Sequence, residues 1–311
     1  MNTPEYAALL ALLPVPLQAW VGDAEGALLE VQLDLGYPPV IVDRRGLTFT
    51  PLDPVTSEDL QRAWAGTVTT GHATRAGVLN TLHRVAAIRQ LDGKIAGLTL
   101  RVGRMVPGAV SQALEQAVHH SKQGVLLVGP PGSGKTTVLR ELSRRLSLTY
   151  RQRVMIVDTS GELAGSGSTP HPAVGRARRL WVPQPSLRAA VMLEAVENHN
   201  PQLVVVDELS GSVEVNAALT TVERGVRLLA SVHGTTLRSV VRNLVLNPLL
   251  GGVTSVTLGD TLATQRGGNK TVLERRTPSA FDLVVELTKD GPKIYEHVEQ
   301  AVDDLLYEGA Q

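Results

Sequence analysis

Short, fully apolar runs recur through the last two thirds of the chain, each followed by a mixed stretch of helical character. Val125–Val128, RVMIVD (Arg153–Asp158), LVVVDE (Leu203–Glu208) and VRLLASVHG (Val226–Gly234) read as buried strands, because a strand covered on both faces loses the apolar–polar alternation. The spacing predicts helices over Ala109–Ser121, Thr137–Leu146, Ser186–Asn198 and Val213–Glu223. Strands alternating with helices argue a parallel α/β sheet. The end of the chain reads as strands at Gly252–Leu258, Thr271–Arg276 and Phe281–Leu287, then a short amphipathic helix at Tyr295–Tyr307.

The first part of the chain has a different rhythm. Ala7–Leu13 reads as a first helix, and Leu28–Thr50 alternates like strands, with turns at Gly36, Pro38-Pro39 and Arg44-Arg45-Gly46. A helix starts within Asp53–Val68, where Thr56 or Ser57 can cap and Glu58 and Asp59 lie in the first turn. His83–Arg104 reads as a hairpin turning at Asp92-Gly93. With Val106-Pro107-Gly108 as linker, this predicts a smaller N-terminal α/β domain over 1–106 and a second domain over 107–311. Thr159–Pro185 is polar and lacks periodicity; a stretch of that length is usually functional or mobile.

Composition narrows this picture little. The 311 residues carry 30 Lys plus Arg and 30 Asp plus Glu, so any charged binding surface must be local. No cysteine is present, which excludes disulfides and Cys-ligated zinc and suits a reducing compartment. The apolar N-terminal run is too short to span a bilayer and has an acid, not a base, before it. A cytoplasmic protein is expected. Aromatic residues make up only 3 %, too few for a base-stacking platform.

The chemistry begins at GPPGSGKTT: Gly129, Pro130, Pro131, Gly132, Ser133, Gly134, Lys135, Thr136 and Thr137. This is a phosphate loop between a strand and a helix. Its glycines let backbone N–H groups turn inward on phosphates, and the helix that follows adds its positive end. Lys135 can reach the β- and γ-phosphates of ATP, and the Thr136 hydroxyl can ligand Mg²⁺. Asp207, ending an apolar strand, is the second metal-ligand candidate; Glu208 beside it can polarise the attacking water. His233 ends another strand and can sense the γ-phosphate, since strand carboxyl ends share one crevice with the ligand. Asp158 and Glu162 can face the same crevice, with Glu162 a second candidate for the water. Hydrolysis also needs positive charge on the transferring phosphate, often from a neighbouring subunit. Arg84, Arg89, Arg101 and Arg104 of the hairpin, and Arg176, Arg178 and Arg179 of the long loop, are the candidates; the latter three can equally contact nucleic-acid phosphates.

From about Arg75 to Leu287 the chain resembles the bacterial and chloroplast ATPases related to stage III sporulation protein AA. The segments that carry this are LHRVAAIRQ, GLTLRVGR, GPPGSGKTT, VDTSGELAG, PHPAVGRARR, MLEAVENHNPQLVVVDE, ERGVRLLASVHG, LGGVTSVTLGD and KTVLERR…FDLVVEL. The wider relatives are the type II and type IV secretion and pilus-motor ATPases. The resemblance implies a RecA-like (ASCE) P-loop ATPase domain and a homo-oligomeric ring of six. Asp158 with Glu162 stands at the family's acidic box, Glu208 at the catalytic glutamate and His233 at the histidine box. Arg84, Arg89 and Arg101 fall where N-terminal-domain arginines reach the nucleotide. Many relatives carry a C-terminal single-stranded nucleic-acid module, for which this chain ends too soon. The expectation is a Mg²⁺-dependent ATPase motor. Its load is DNA, single-stranded or branched, or RNA; the alternatives are a membrane-associated protein partner, as in secretion motors, or a nucleotide-gated switch.

Overall fold

The computed structural model describes residues 3–22, 24, 26–69, 74–257 and 271–308. The chain divides into two compact units: residues 1–106 with 158–175 and 181–185, and residues 107–157 with 176–180 and 186–311. The first unit is thus discontinuous in sequence, taking in two segments beyond Val106.

Unit 1 contains helices α1 (Pro4–Leu10), α2 (Val15–Val21) and α3 (Ser57–Ala65), and strands β1 (Leu28–Asp34), β2 (Val40–Asp43), β3 (Gly46–Phe49), β4 (Val68–Thr69), β5 (Arg75–Gly77), β6 (Arg84–Arg89) and β7 (Ile95–Arg101). The strands form one antiparallel sheet in the order β3-β2-β1-β7-β6-β5-β4. Alternation along β1 buries Leu28, Val31 and Leu33 against Leu60 and Ala63 of α3 and Leu9 and Leu17 of the first two helices. Thr56 is the cap of α3. Its hydroxyl accepts the Asp59 N–H while the Asp59 carboxylate accepts the Thr56 N–H, a reciprocal pairing that satisfies two free donors. The second helix, Val15–Val21, begins at Pro14 and is not anticipated by the apolar pattern.

Unit 2 contains α4 (Gln112–His120), β8 (Gly124–Gly129), α5 (Lys135–Tyr150), β9 (Val154–Asp158), β10 (Arg178–Trp181), α6 (Arg188–His199), β11 (Leu203–Val206), α7 (Ser212–Glu223), β12 (Arg227–His233), α8 (Leu237–Val241), β13 (Val253–Thr257), β14 (Thr271–Arg275), β15 (Leu283–Thr288), β16 (Gly291–Tyr295) and α9 (Val298–Glu308). Its main sheet runs β10-β9-β11-β12-β8-β15-β16. From β9 to β15 the strands are parallel, and only β16 turns back. All side chains of β8, β9 and β11 are buried, as a sheet covered on both faces requires.

Three expectations change. The helix anticipated from Tyr295 begins at Val298, because Gly291–Tyr295 pairs with β15 as a hairpin strand. The polar stretch Thr159–Pro185 is built, and it carries β10 at the sheet edge. The strand expected at Gly252–Leu258 runs Val253–Thr257, and Leu258 lies outside the described residues. Among the described residues no helix is long and apolar enough to cross a membrane.

Candidate functional site

Strand order decides what meets at the sheet's carboxyl edge. The phosphate-loop strand β8 lies between β12 and β15, and β12 separates it from β11. The parallel register sets His233 beside Gly129, and Val206 beside Ala230. The ends of three strands therefore bring the loop, His233 and the Asp207-Glu208 pair together.

In the loop, Gly132 and Gly134 have φ +77° and +92°, values that only glycine adopts without strain. A β-carbon on either would meet nothing within 4 Å, so both glycines face open space. Gly134 precedes the sixteen-residue helix α5, which has no acidic side chain in its first turn to offset its positive end. Lys135 is buried, and its ammonium donates to the carbonyl oxygens of Gly129 (2.7 Å) and Pro130 (3.0 Å). Burial pushes it below its ordinary pKa, against the pull of the Glu208 and Asp207 carboxylates.

The ammonium also lies 3.3 Å from His233 Nδ1. An ammonium has only protons to give, so Nδ1 must accept and the ring proton sits on Nε2. Nε2 is 2.9 Å from Glu208 Oε2 and donates to it. Lys135, His233 and Glu208 thus form one chain, and the last two stay accessible, at 46 % and 36 % side-chain exposure. The Thr136 hydroxyl donates to Asp207 Oδ1 at 3.1 Å. A hydroxyl and a carboxylate at that spacing fit Mg²⁺, which keeps most of its shell as water and phosphate oxygen.

Neighbouring groups hold these side chains in place. Ser231 Oγ donates to the Asp207 carbonyl, and Leu209 N donates to the Ser231 carbonyl at 2.8 Å. Arg188, at the start of α6, donates to the Glu208 carbonyl (2.9 Å) and to Glu214 (2.6 Å). Glu214 in turn accepts the N–H groups of Ser210 and Gly211. Glu286 of β15 is buried; it accepts the Leu237 N–H just past His233 and the Tyr295 hydroxyl at 3.1 Å. Sequence reasoning missed Arg188, Glu214 and Glu286. Only Glu286 left a signal, a carboxylate inside the apolar run FDLVVEL.

Within unit 1 the remaining candidates are separately engaged. Asp158 is fully buried: Oδ1 accepts the N–H groups of Ser160 (3.3 Å) and Glu162 (3.0 Å), and Oδ2 those of Leu163 (3.2 Å) and Ala164 (2.8 Å). These four bonds organise the loop that follows β9. Glu162 pairs with Arg84. Arg101 pairs with Glu30 at 3.1 Å. Arg89 donates to the Gly93 carbonyl (2.8 Å) and stacks over Trp64, 5.3 Å from the ring centre. Arg104 donates to the Leu28 carbonyl. The hairpin register sets Arg101 opposite Arg84 and Arg89 opposite Ile95, so Arg89 and Arg101 lie at opposite ends of it.

Residues 57–255 match the family model described as "Sporulation stage III, protein AA". The chain is 42 % identical over 283 residues to the "Uncharacterized protein ycf45" of Porphyra purpurea, covering 90 % of this chain and 49 % of that protein. It is 39 % identical over 307 residues to "Protein SEEDLING PLASTID DEVELOPMENT 1" of Arabidopsis thaliana, covering 98 % and 45 %. The chain therefore spans about half the length of these curated relatives. Among solved structures it is similar to the pilus retraction motor PilT with bound ADP, with a TM-score of 0.62, 13 % identity, and 96 % of this chain and 88 % of that one covered. That likeness identifies the fold as one shared with a pilus-motor ATPase, an N-terminal domain followed by a P-loop domain.

Proposed function

Because the chain belongs to the stage III sporulation protein AA family, we propose that it is a Mg²⁺-dependent ATP hydrolase that works as a homo-oligomeric, hexameric ring moving or remodelling nucleic acid. One observation carries the hydrolase reading: the phosphate loop, the Thr136–Asp207 contact and the Lys135–His233–Glu208 chain converge at one sheet edge. Thr136 and Asp207 would hold Mg²⁺, which when bound offsets negative charge on the phosphate oxygens. Lys135 would meet the β- and γ-phosphates. Glu208 would take the proton of the attacking water, and His233, donating to Glu208 and accepting from Lys135, links that base to the phosphate end. Glu162 is the second candidate for the base. The arginine completing the neighbouring site is drawn from Arg84, Arg89 and Arg101, each of which must exchange a present partner to do so. Cytoplasmic placement belongs to the same proposal.

The test is steady-state ATP turnover, with and without single-stranded or branched DNA, beside the mass of the oligomer. Lys135→Ala should abolish turnover, and Glu208→Gln should keep nucleotide binding while slowing turnover by roughly 10²-fold or more. Normal turnover in Glu208→Gln would overturn its role. The likeness of the fold to a pilus retraction motor supports a second reading, an assembly motor acting on a protein partner, which turnover indifferent to nucleic acid would favour.

A further inference from the structure

We propose that one corner of unit 2, built from Arg151, Arg153, Arg176 and Arg178, binds the phosphodiester backbone of nucleic acid. Three segments bring these residues together. Helix α5 ends at Tyr150, and Arg151–Arg153 form the turn into β9. β10 lies beside β9, and Val182 N donates to the Asp158 carbonyl just past both strands. The two strands therefore run the same way, and Arg178, first in β10, lies at the same end of the pair as Arg153, just before β9. Arg176 N donates to Ser147 Oγ in the last turns of α5, at 2.9 Å. All four side chains are exposed. Ala177 is buried, so the chain from the turn at Arg176 into β10 exposes Arg176 and Arg178 on either side of a buried residue.

These guanidinium groups have no ion pair or hydrogen bond among the described residues. Other arginines of unit 2 do: Arg144 and Arg145 with Glu141, Arg224 with Glu197, and Arg275 with Asp303. In a chain with as many acids as bases, four unopposed arginines at one corner make a local anion-binding field. Arg151 also holds φ +51° and ψ −131°, a conformation non-glycine residues seldom take, which places its side chain at this corner at some cost.

The corner lies at the amino ends of β9 and β10. Gly129, Asp207 and His233 lie at carboxyl ends, so these arginines do not serve the phosphates of their own subunit's nucleotide. Guanidinium matches phosphate oxygens in bidentate pairs. The adjacent Tyr150 ring is already covered by Arg227, 5.6 Å from its centre, which leaves backbone contact without base stacking. Such contact is independent of sequence. A lipid surface fits less well: the arginines sit on a turn and a strand edge, not on an amphipathic helix.

The inference bears on the load proposed above but does not rest on hydrolysis, because binding is read without nucleotide. Fluorescence anisotropy of the full chain with labelled single-stranded and duplex DNA, between about 50 and 200 mM salt, is the experiment. Four phosphate contacts predict a slope of log K against log salt of about −3.6 for duplex and about −2.8 for single strands. Each Arg→Gln change should weaken binding to all sequences alike and reduce the duplex slope by about 0.9. Arg→Lys at all four positions should keep the slope. Thermal unfolding of each variant reports folding. No binding by the wild-type chain at the lowest salt, an unchanged slope in the fourfold Gln variant, or capture by phosphatidylserine vesicles without any binding to DNA would each overturn it.

Discussion

Asp158→Asn removes one negative charge from a fully buried carboxylate that four backbone N–H groups address in two pairs. An amide has one accepting oxygen. It should turn that oxygen to the closer pair, Leu163 and Ala164, where the distances are 3.2 and 2.8 Å. Its NH₂ then faces the N–H groups of Ser160 and Glu162, donor against donor. Two hydrogen bonds to a charged group are lost, each worth about 1.5–3 kcal/mol. The 3.3 Å Ser160 bond is long, so the lower end applies and the expected cost is about 3 kcal/mol. That is a large share of the 5–15 kcal/mol that typically holds a domain together. With two units, a global unfolding midpoint blurs the effect, so the assay is native-state hydrogen exchange at the amides of residues 160–164. Opening there should become about 10²-fold more frequent, at 1.36 kcal/mol for each factor of ten. Asp158→Ala, which frees all four donors, should exceed it. Exchange at Glu162 and Ala164 within threefold of wild type in Asp158→Asn would refute the reasoning.

Glu286→Ala should lower kcat about tenfold or more with little change in nucleotide affinity, because it frees the backbone that carries His233, whereas Glu286→Gln keeps an acceptor for Leu237 N–H and should recover most of the loss; equal defects in both would mean the carboxylate acts otherwise. Burial alone would raise the Asp282 carboxyl, but the Ser121 hydroxyl and the N–H groups of Lys122, Gly124 and Gln123 outweigh it and hold it below its ordinary value. Its folded pKa lies under its unfolded one, so its contribution is whole above about pH 4 and is lost as pH falls through the folded value; Asp282→Asn should flatten the acid limb of a stability–pH curve, and an unaltered limb would count against this. Arg84→Ala subunits mixed with Glu208→Gln subunits should regain part of the ATP turnover if Arg84 serves the neighbouring site; confirmed mixed rings without recovery would remove Arg84 from that role.

Local physics made much of this protein legible in its sequence. The phosphate loop needs only contiguous residues: an apolar strand, glycines free to take positive φ, and a helix start. Gly132, Gly134 and α5 accordingly lie where the pattern sets them. The Thr56 cap and the buried strands ending in Asp207-Glu208 and His233 were legible for the same reason, since capping and apolar runs act over a few residues. What joins those pieces is not local. No periodicity says that β12 inserts between β8 and β11, yet that order alone sets His233 between Lys135 and Glu208. The closing helix read from Tyr295 starts three residues later, at Val298, because Tyr295 ends the strand that pairs with β15, a contact outside the helix's own spacing. Asp158 and Glu162 read as acids beside the ligand; the structure adds that Asp158 accepts four N–H groups of its own loop and that Glu162 pairs with Arg84, far away in the chain. A carboxylate's role depends on which donors the folded chain brings within about 3 Å; those of Asp158 lie within six residues of it, whereas a partner as distant in sequence as Arg84 is from Glu162 is chosen by packing of the folded chain.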